Sequence, residues 1–191
     1  MKSRIPALIA TLAALTLGHA PLAARAQTVV VNHAITESEV LSAQKAWCQA
    51  LLDIGAAHAS GGQPAARALA EKVIDAAYGY QMGVVLFKPT LTVNPQTFRT
   101  TRDGALSYFV GGDATYPKDS GFALKGWTAC EPVNAAVFIA GDSATTMGKV
   151  RFTGKDGKVT AVDKTWQFVK DDAGRLRIVV HHSSLEYVAA N

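Results

Sequence analysis

The stretch Ile178-Val179-Val180-His181-His182-Ser183-Ser184 holds the most concentrated set of reactive side chains in the sequence. An apolar strand start runs into four polar residues, which is costly if they are buried without partners. Successive side chains of a strand point to opposite faces, so His181 and Ser183 share one face and His182 and Ser184 the other. Adjacent histidines on a regular strand cannot ligate one ion. Past the first 26 residues the other histidines are His33 and His58, and neither a His-Glu-x-x-His nor a Cys-x-x-Cys spacing occurs. The expectation is a site without a resident cofactor. Zinc or another divalent metal, held by one histidine and carboxylates, is the alternative, and a bulge could turn both histidines inward. Taken alone, a histidine in such a strand more often fills a core or edge position than a catalytic one.

The elements that would position these residues fall into two halves. Thr36-Glu37-Ser38-Glu39 is a capping box, and Val40, Trp47, Leu51 and Ile54 follow at helical spacing. That helix should end near Ser60-Gly61-Gly62, with a second starting at Pro64 and running to Gly79. Met82 to Phe87 reads as a short buried strand interrupted by Pro89, Asn94-Pro95 as a turn, and Arg102 to Val110 as a short helix stopped by Gly111-Gly112. After Trp127 the period changes to two. Strands are expected over Val133 to Ile139, Thr145 to Thr153, Lys158 to Val169 and Leu176 to Tyr187, joined by turns at Gly141-Asp142, Asp156-Gly157 and Asp171 to Gly174. Helices followed by an antiparallel meander predict an α+β domain, its N-terminal helices packed on one face of a curved antiparallel sheet. Such a cone encloses an interior pocket suited to a small ligand.

The first residues read as an export leader. Lys2 and Arg4 precede the apolar run Ile5 to Leu17, which is shorter than the roughly 20 residues needed to span a bilayer. Ala24-Arg25-Ala26 then offers small residues where a signal peptidase cuts. The expected organisation is a signal peptide over 1–26, a flexible mature N-terminus over 27–35 and a single domain over 36–191. The mature protein would be periplasmic or secreted, with no membrane attachment. Cleavage removes Lys2, Arg4 and Arg25, so the net charge of +4 falls to about +1. No basic stretch with interleaved aromatics remains, which argues against nucleic-acid binding. Cys48 and Cys130 can pair in an oxidising compartment or remain two buried thiols.

Four blocks carry a resemblance. Phe87-Lys88-Pro89-Thr90, Ala105 to Gly112 (Ala-Leu-Ser-Tyr-Phe-Val-Gly-Gly), Gly121-Phe122-Ala123-Leu124 and His181-His182-Ser183-Ser184 together resemble the iota-class carbonic anhydrases, over roughly residues 36 to 188. The resemblance implies a nuclear-transport-factor-like cone similar to the calcium/calmodulin-dependent kinase association domain, and a homodimer formed through the outer sheet face. It further implies reversible hydration of carbon dioxide to bicarbonate, in a pocket lined by a threonine, a tyrosine, a histidine and a serine without metal.

Carried over by motif, these residues are Thr90, Tyr108 and one histidine and one serine of the terminal block. Alternation requires the last two to share a face, and His181 with Ser183 is preferred over His182 with Ser184. Against that choice, Ile178 and Val180 fall on the second face and Arg177 on the first. Thr90, Tyr108 and Ser183 would fix water and carbon dioxide by hydrogen bonds, and His181 would accept or shuttle the proton. Residues serving turnover alone should be replaceable without much loss of folding. Phe87, Phe109, Phe122 and Trp127 are candidates for the apolar wall. Two rivals remain at this level: a non-catalytic association or ligand-binding module of the same fold, and an isomerase with a buried carboxylate base, for which Asp163 is the main strand acid.

Overall fold

A computed structural model describes residues 28–30 and 32–189. The expected leader and its cleavage site at Ala26 lie outside the described residues. The unit over 32–191 is built in chain order from α1 (Glu37–Ala77), β1 (Leu86–Lys88), α2 (Arg102–Val110), a 3-10 turn (Phe122–Leu124), β2 (Ala129–Ala140), β3 (Ser143–Thr153), β4 (Val159–Lys170) and β5 (Leu176–Leu185).

The capping box forms: Thr36 Oγ1 accepts from the Glu39 amide at 3.3 Å, and the Glu39 carboxylate accepts from the Thr36 amide at 2.8 Å. Val40, Gln44, Trp47, Cys48, Leu51 and Ile54 then bury one stripe of α1. Gly62, at φ 68°, breaks the helix into two segments, because a left-handed backbone cannot continue the i to i−4 ladder. Pro64 follows at the start of the second segment, as the sequence suggests, and Ala66, Ala70 and Ile74 bury that segment's face. Ile35 is buried and its amide donates to Gly141 O at 2.7 Å. The packed unit therefore reaches back into the stretch expected to be flexible.

The sheet has the order β1-β5-β4-β3-β2. The four long strands pair antiparallel, each limit within four residues of the expected one. Two features differ from expectation. Residues 82–87 are not a buried strand: Met82, Val84 and Leu86 are exposed, and only Leu86–Lys88 pairs. The reason is position, since β1 is an edge strand whose outer side chains find no second layer. It also pairs parallel to β5, with Phe87 opposite His181, which the antiparallel meander did not foretell.

Two ties hold α1 on the sheet. Buried Gln44 exchanges hydrogen bonds with Asn134 at 2.9 and 2.8 Å and donates to Thr146 at 3.2 Å. Cys48 and Cys130 form a disulfide between α1 and β2. Closing a loop of that length stabilises a fold by about 4 kcal/mol in the chain-entropy account. Between helix and sheet the core is aromatic: Trp47 meets Phe109, Phe152 and Trp166 edge-on, with ring centres 5.5 to 6.4 Å apart.

Candidate active site

The parity of β5 is set by a bulge. Ile178 pairs with Phe168 and Val180 with Gln167, leaving Val179 without a partner. One extra residue shifts all that follows to the opposite face. Ile178 thus faces the core beside Phe168, and His181 and Ser183 face it too, while His182 is exposed and Ser184 half-buried on the other side. The two histidines still point in opposite directions, because the bulge precedes both.

β1 brings the second block alongside. Phe87 lies opposite His181, and the two rings stack at 4.4 Å with an 18° interplanar angle. Pro89 ends the strand, and Thr90 reaches Ser183 with 2.5 Å between Oγ1 and Oγ. Lys88 Nζ donates to Ser183 O at 2.9 Å, so a cation sits beside the hydroxyl pair. Burial lowers the Lys88 pKa.

Tyr108 comes from α2, whose N-cap Thr101 accepts from the Gly104 amide at 3.2 Å. Its ring stacks on Phe122 at 5.5 Å and meets Phe87 edge-on at 5.7 Å. Its hydroxyl faces Thr90 and the Leu91 backbone, and burial holds its pKa well above that of a free phenol. Tyr108 therefore stays protonated and offers a hydrogen-bond donor. A recess of about 20 Å³ lined by Leu91, Tyr108, Asp119 and Phe122, room for a water, opens beside it. Thr90, Tyr108, His181 and Ser183, which lie far apart in sequence, thus converge on one interior face. His182 and Ser184 do not join them. Of the expected wall residues, Phe87, Phe109 and Phe122 are buried, and Trp127 packs against Phe122 and Phe152.

Three residues around His181 escaped the sequence reading. Trp47 Nε1 donates to Tyr78 Oη at 2.9 Å, and Tyr78 Oη lies 2.8 Å from His181 Nδ1. On the other side of the ring, Lys164 Nζ lies 2.7 Å from Nε2. Both ring nitrogens are therefore engaged inside the protein, and a direct proton transfer to His181 requires one of these bonds to give way. Burial, with Lys164 and then His182 adding to it, holds the His181 pKa well below its usual value. Burial and then Lys88 bring Lys164 down to about 7. A signal for Lys164 was present: it alternates with Val162, Trp166 and Phe168 on the apolar face of β4. Tyr78, at the end of α1, gave none.

Asp163 points outward and pairs with Lys149 at 3.4 Å. Asp119 is buried, bonded to Arg99 and Ser107 at 2.8 Å each. Neither is a free buried base, which removes the basis for the isomerase reading. Among the described residues no group of three or more histidine, cysteine or acidic side chains is placed to hold a metal ion. A wider apolar cleft of about 280 Å³ between the two segments of α1 and the sheet reaches Trp47 and Ile178 but none of the four converging residues.

Residues 38–185 match the family of metal-independent carbonic anhydrases. A metal-independent carbonic anhydrase of Nostoc sp. (strain PCC 7120) is 63% identical over 161 residues, 84% of this chain and 78% of that protein. The crystal structure of a cyanobacterial iota-carbonic anhydrase complexed with bicarbonate is 62% identical and superposes with a TM-score of 0.83, covering 86% of this chain and 100% of that one. A putative calcium/calmodulin-dependent protein kinase II association domain from Xanthomonas campestris, 22% identical with a TM-score of 0.50, covers 86% of this chain and 98% of its own and shares the fold alone. The chain belongs to the metal-independent, iota-class carbonic anhydrases, lyases that interconvert carbon dioxide and bicarbonate.

Proposed function

We propose that hydration takes place on the interior face where Thr90, Tyr108 and Ser183 meet. The observation that carries this reading is the 2.5 Å contact between the Thr90 and Ser183 hydroxyls beside buried His181. Within such a pair one hydroxyl donates to the other, and the remaining O–H and lone pairs are free to hold a water and a carbon dioxide oxygen. A zinc enzyme makes its nucleophile by lowering the pKa of bound water to about 7. Here the barrier falls instead because donors are already aimed at the charge developing on bicarbonate. Tyr108 is the strongest of these donors, and Lys88 adds a positive charge next to the product anion. Thr90→Val removes one hydroxyl at nearly constant volume. In stopped-flow assays of chelator-treated protein it should cut hydration by about a hundredfold. Full activity in that variant would place the reaction elsewhere, and loss of wild-type activity on chelation, restored by zinc, would overturn the metal-free mechanism.

We also propose that the protein is exported and works as a homodimer. The leader supports the first point. Val133, Phe138 and Met147, exposed on the outer face of β2 and β3, support the second, since large apolar groups clustered on one sheet face mark an association surface. Native mass spectrometry of exported protein should read twice the mass of a chain beginning at Gln27. A species that retains residues 1–26, or a monomer at micromolar concentration, contradicts the corresponding half.

A further inference from the structure

The chain Trp47–Tyr78–His181–Lys164 can be assigned its protons from connectivity alone. Trp47 Nε1–H donates to Tyr78 Oη at 2.9 Å, because an indole nitrogen has no lone pair to offer. If the Tyr78 hydroxyl donates onward to Nδ1, neutral His181 carries its proton on Nε2 and donates it to Lys164 Nζ across 2.7 Å. Nζ can accept only as an amine with a lone pair. If Lys164 were an ammonium, it would donate to Nε2, and Nδ1–H would donate to Tyr78 Oη. The Tyr78 hydroxyl proton would then face the buried aromatic cluster with no acceptor, although Tyr78 is wholly buried. The uncharged amine lets the Tyr78 hydroxyl proton keep an acceptor, and the ammonium does not.

The surroundings of Lys164 agree. The side chain is 4% exposed, and no carboxylate lies within salt-bridge distance among the described residues. On β5 it faces His181, with Ser183 opposite it in the register and His182 directed outward. On β1 the nearby charge is Lys88, also a cation. Across the sheet, β3 presents Gly148. From α1 comes Trp47, Trp166 lies beside it on β4, and Tyr78, the C-cap of α1, is reached through His181. The indole faces at 4.9 and 5.3 Å favour a charged amine and offset only part of the cost of burying one beside another cation.

We propose that Lys164 is a positioning residue of the hydration reaction that works as an uncharged amine, fixing the protonation of His181 and, through it, holding the proton the reaction releases. The proposal rests on the site reading above. When water adds to carbon dioxide, a C–O bond forms, an O–H bond breaks and one proton is left over. Its uptake by the chain reverses two hydrogen bonds without moving a heavy atom. The Tyr78 proton passes to Nδ1, the Nε2 proton passes to Nζ, and the incoming proton restores the phenol. Lys164 becomes an ammonium, and release to solvent resets the chain.

The test compares wild type, Lys164→Met and Lys164→Arg by stopped-flow hydration from about pH 6 to about pH 9, and follows the Lys164 Cε resonance of wild type by NMR. Wild-type kcat should rise as pH passes upward through about 7, and the Cε resonance should titrate in the same range. Both variants should lose about a hundredfold in kcat and the rising limb with it, because neither methionine nor guanidinium can take the proton. Lys164→Arg with the wild-type rate and pH profile would mean that a fixed positive charge is what the site needs. A Cε titration at the ordinary lysine value near 10.4 would overturn the proposal even if both variants fail to fold. That result leaves the site reading standing, whereas failure of the site reading shows separately, as hydration untouched by Thr90→Val.

Discussion

Tyr108→Phe should lower kcat for carbon dioxide hydration by about a hundredfold or more and leave the melting temperature close to that of wild type. The substitution removes one oxygen. The ring keeps its stack on Phe122 and its edge contact with Phe87, so the packing of α2 against the sheet survives. Loss of a single hydrogen-bonding hydroxyl costs about 1 kcal/mol of stability. The catalytic cost is larger, since a preorganised donor to a developing oxyanion contributes roughly two to three powers of ten. Because burial pushes its pKa up, Tyr108 remains a phenol across the working range, so its contribution should not vary with pH. A drop of less than about threefold would place the hydroxyl outside the reaction.

His181→Ala should abolish most activity and destabilise the fold by about 3–5 kcal/mol, whereas His182→Ala should leave both nearly unchanged. His181 is 1% exposed, with Phe87 stacked on it and Trp47 edge-on at 5.4 Å. Truncation opens a cavity there, leaves Tyr78 Oη with only its bond from Trp47, and strands Lys164 Nζ without a hydrogen-bond partner. Urea denaturation should show the lower midpoint for His181→Ala only. Equal effects of the two substitutions would mean that the inward and outward faces of β5 are not distinguished as described. The position of His181 argues against the sequence-based expectation that residues serving turnover contribute little to folding, because the side chain expected in a pocket is bonded into the core.

What could be read from sequence follows from how far apart the interacting residues lie. The capping box, the break at Gly62 and the hairpin strands are local, fixed by residues a few positions apart, and propensity and periodicity found them. The bulge at Val179 depends on how β5 pairs with β4, so strict alternation left Ile178 and His181 on conflicting faces. The stretch 82–87 differs from expectation because an apolar run of which only Leu86 and Phe87 pair, at a sheet edge, looks the same in sequence as a buried strand. At the site, Thr90, Tyr108, His181 and Ser183 were named through a motif resemblance. Trp47, Tyr78 and Lys164 belong to no motif, and their hydrogen bonds are made only in three dimensions. Lys164 alone left a trace, a charge at an apolar parity of β4.

The sheet order bears on when the protein can first act. β5 comes last of the five strands in sequence yet sits inside the sheet, between β1 and β4. It supplies both His181 and Ser183, and the Thr90–Ser183 contact joins residues 93 positions apart. Contacts of such separation form late, after the entropy of closing long loops has been overcome. A nascent chain or a folding intermediate with α1 and the β2–β3–β4 meander in place would have its helical and hairpin structure and no site. Regain of activity on refolding therefore reports the docking of one strand, and should lag behind the recovery of secondary structure.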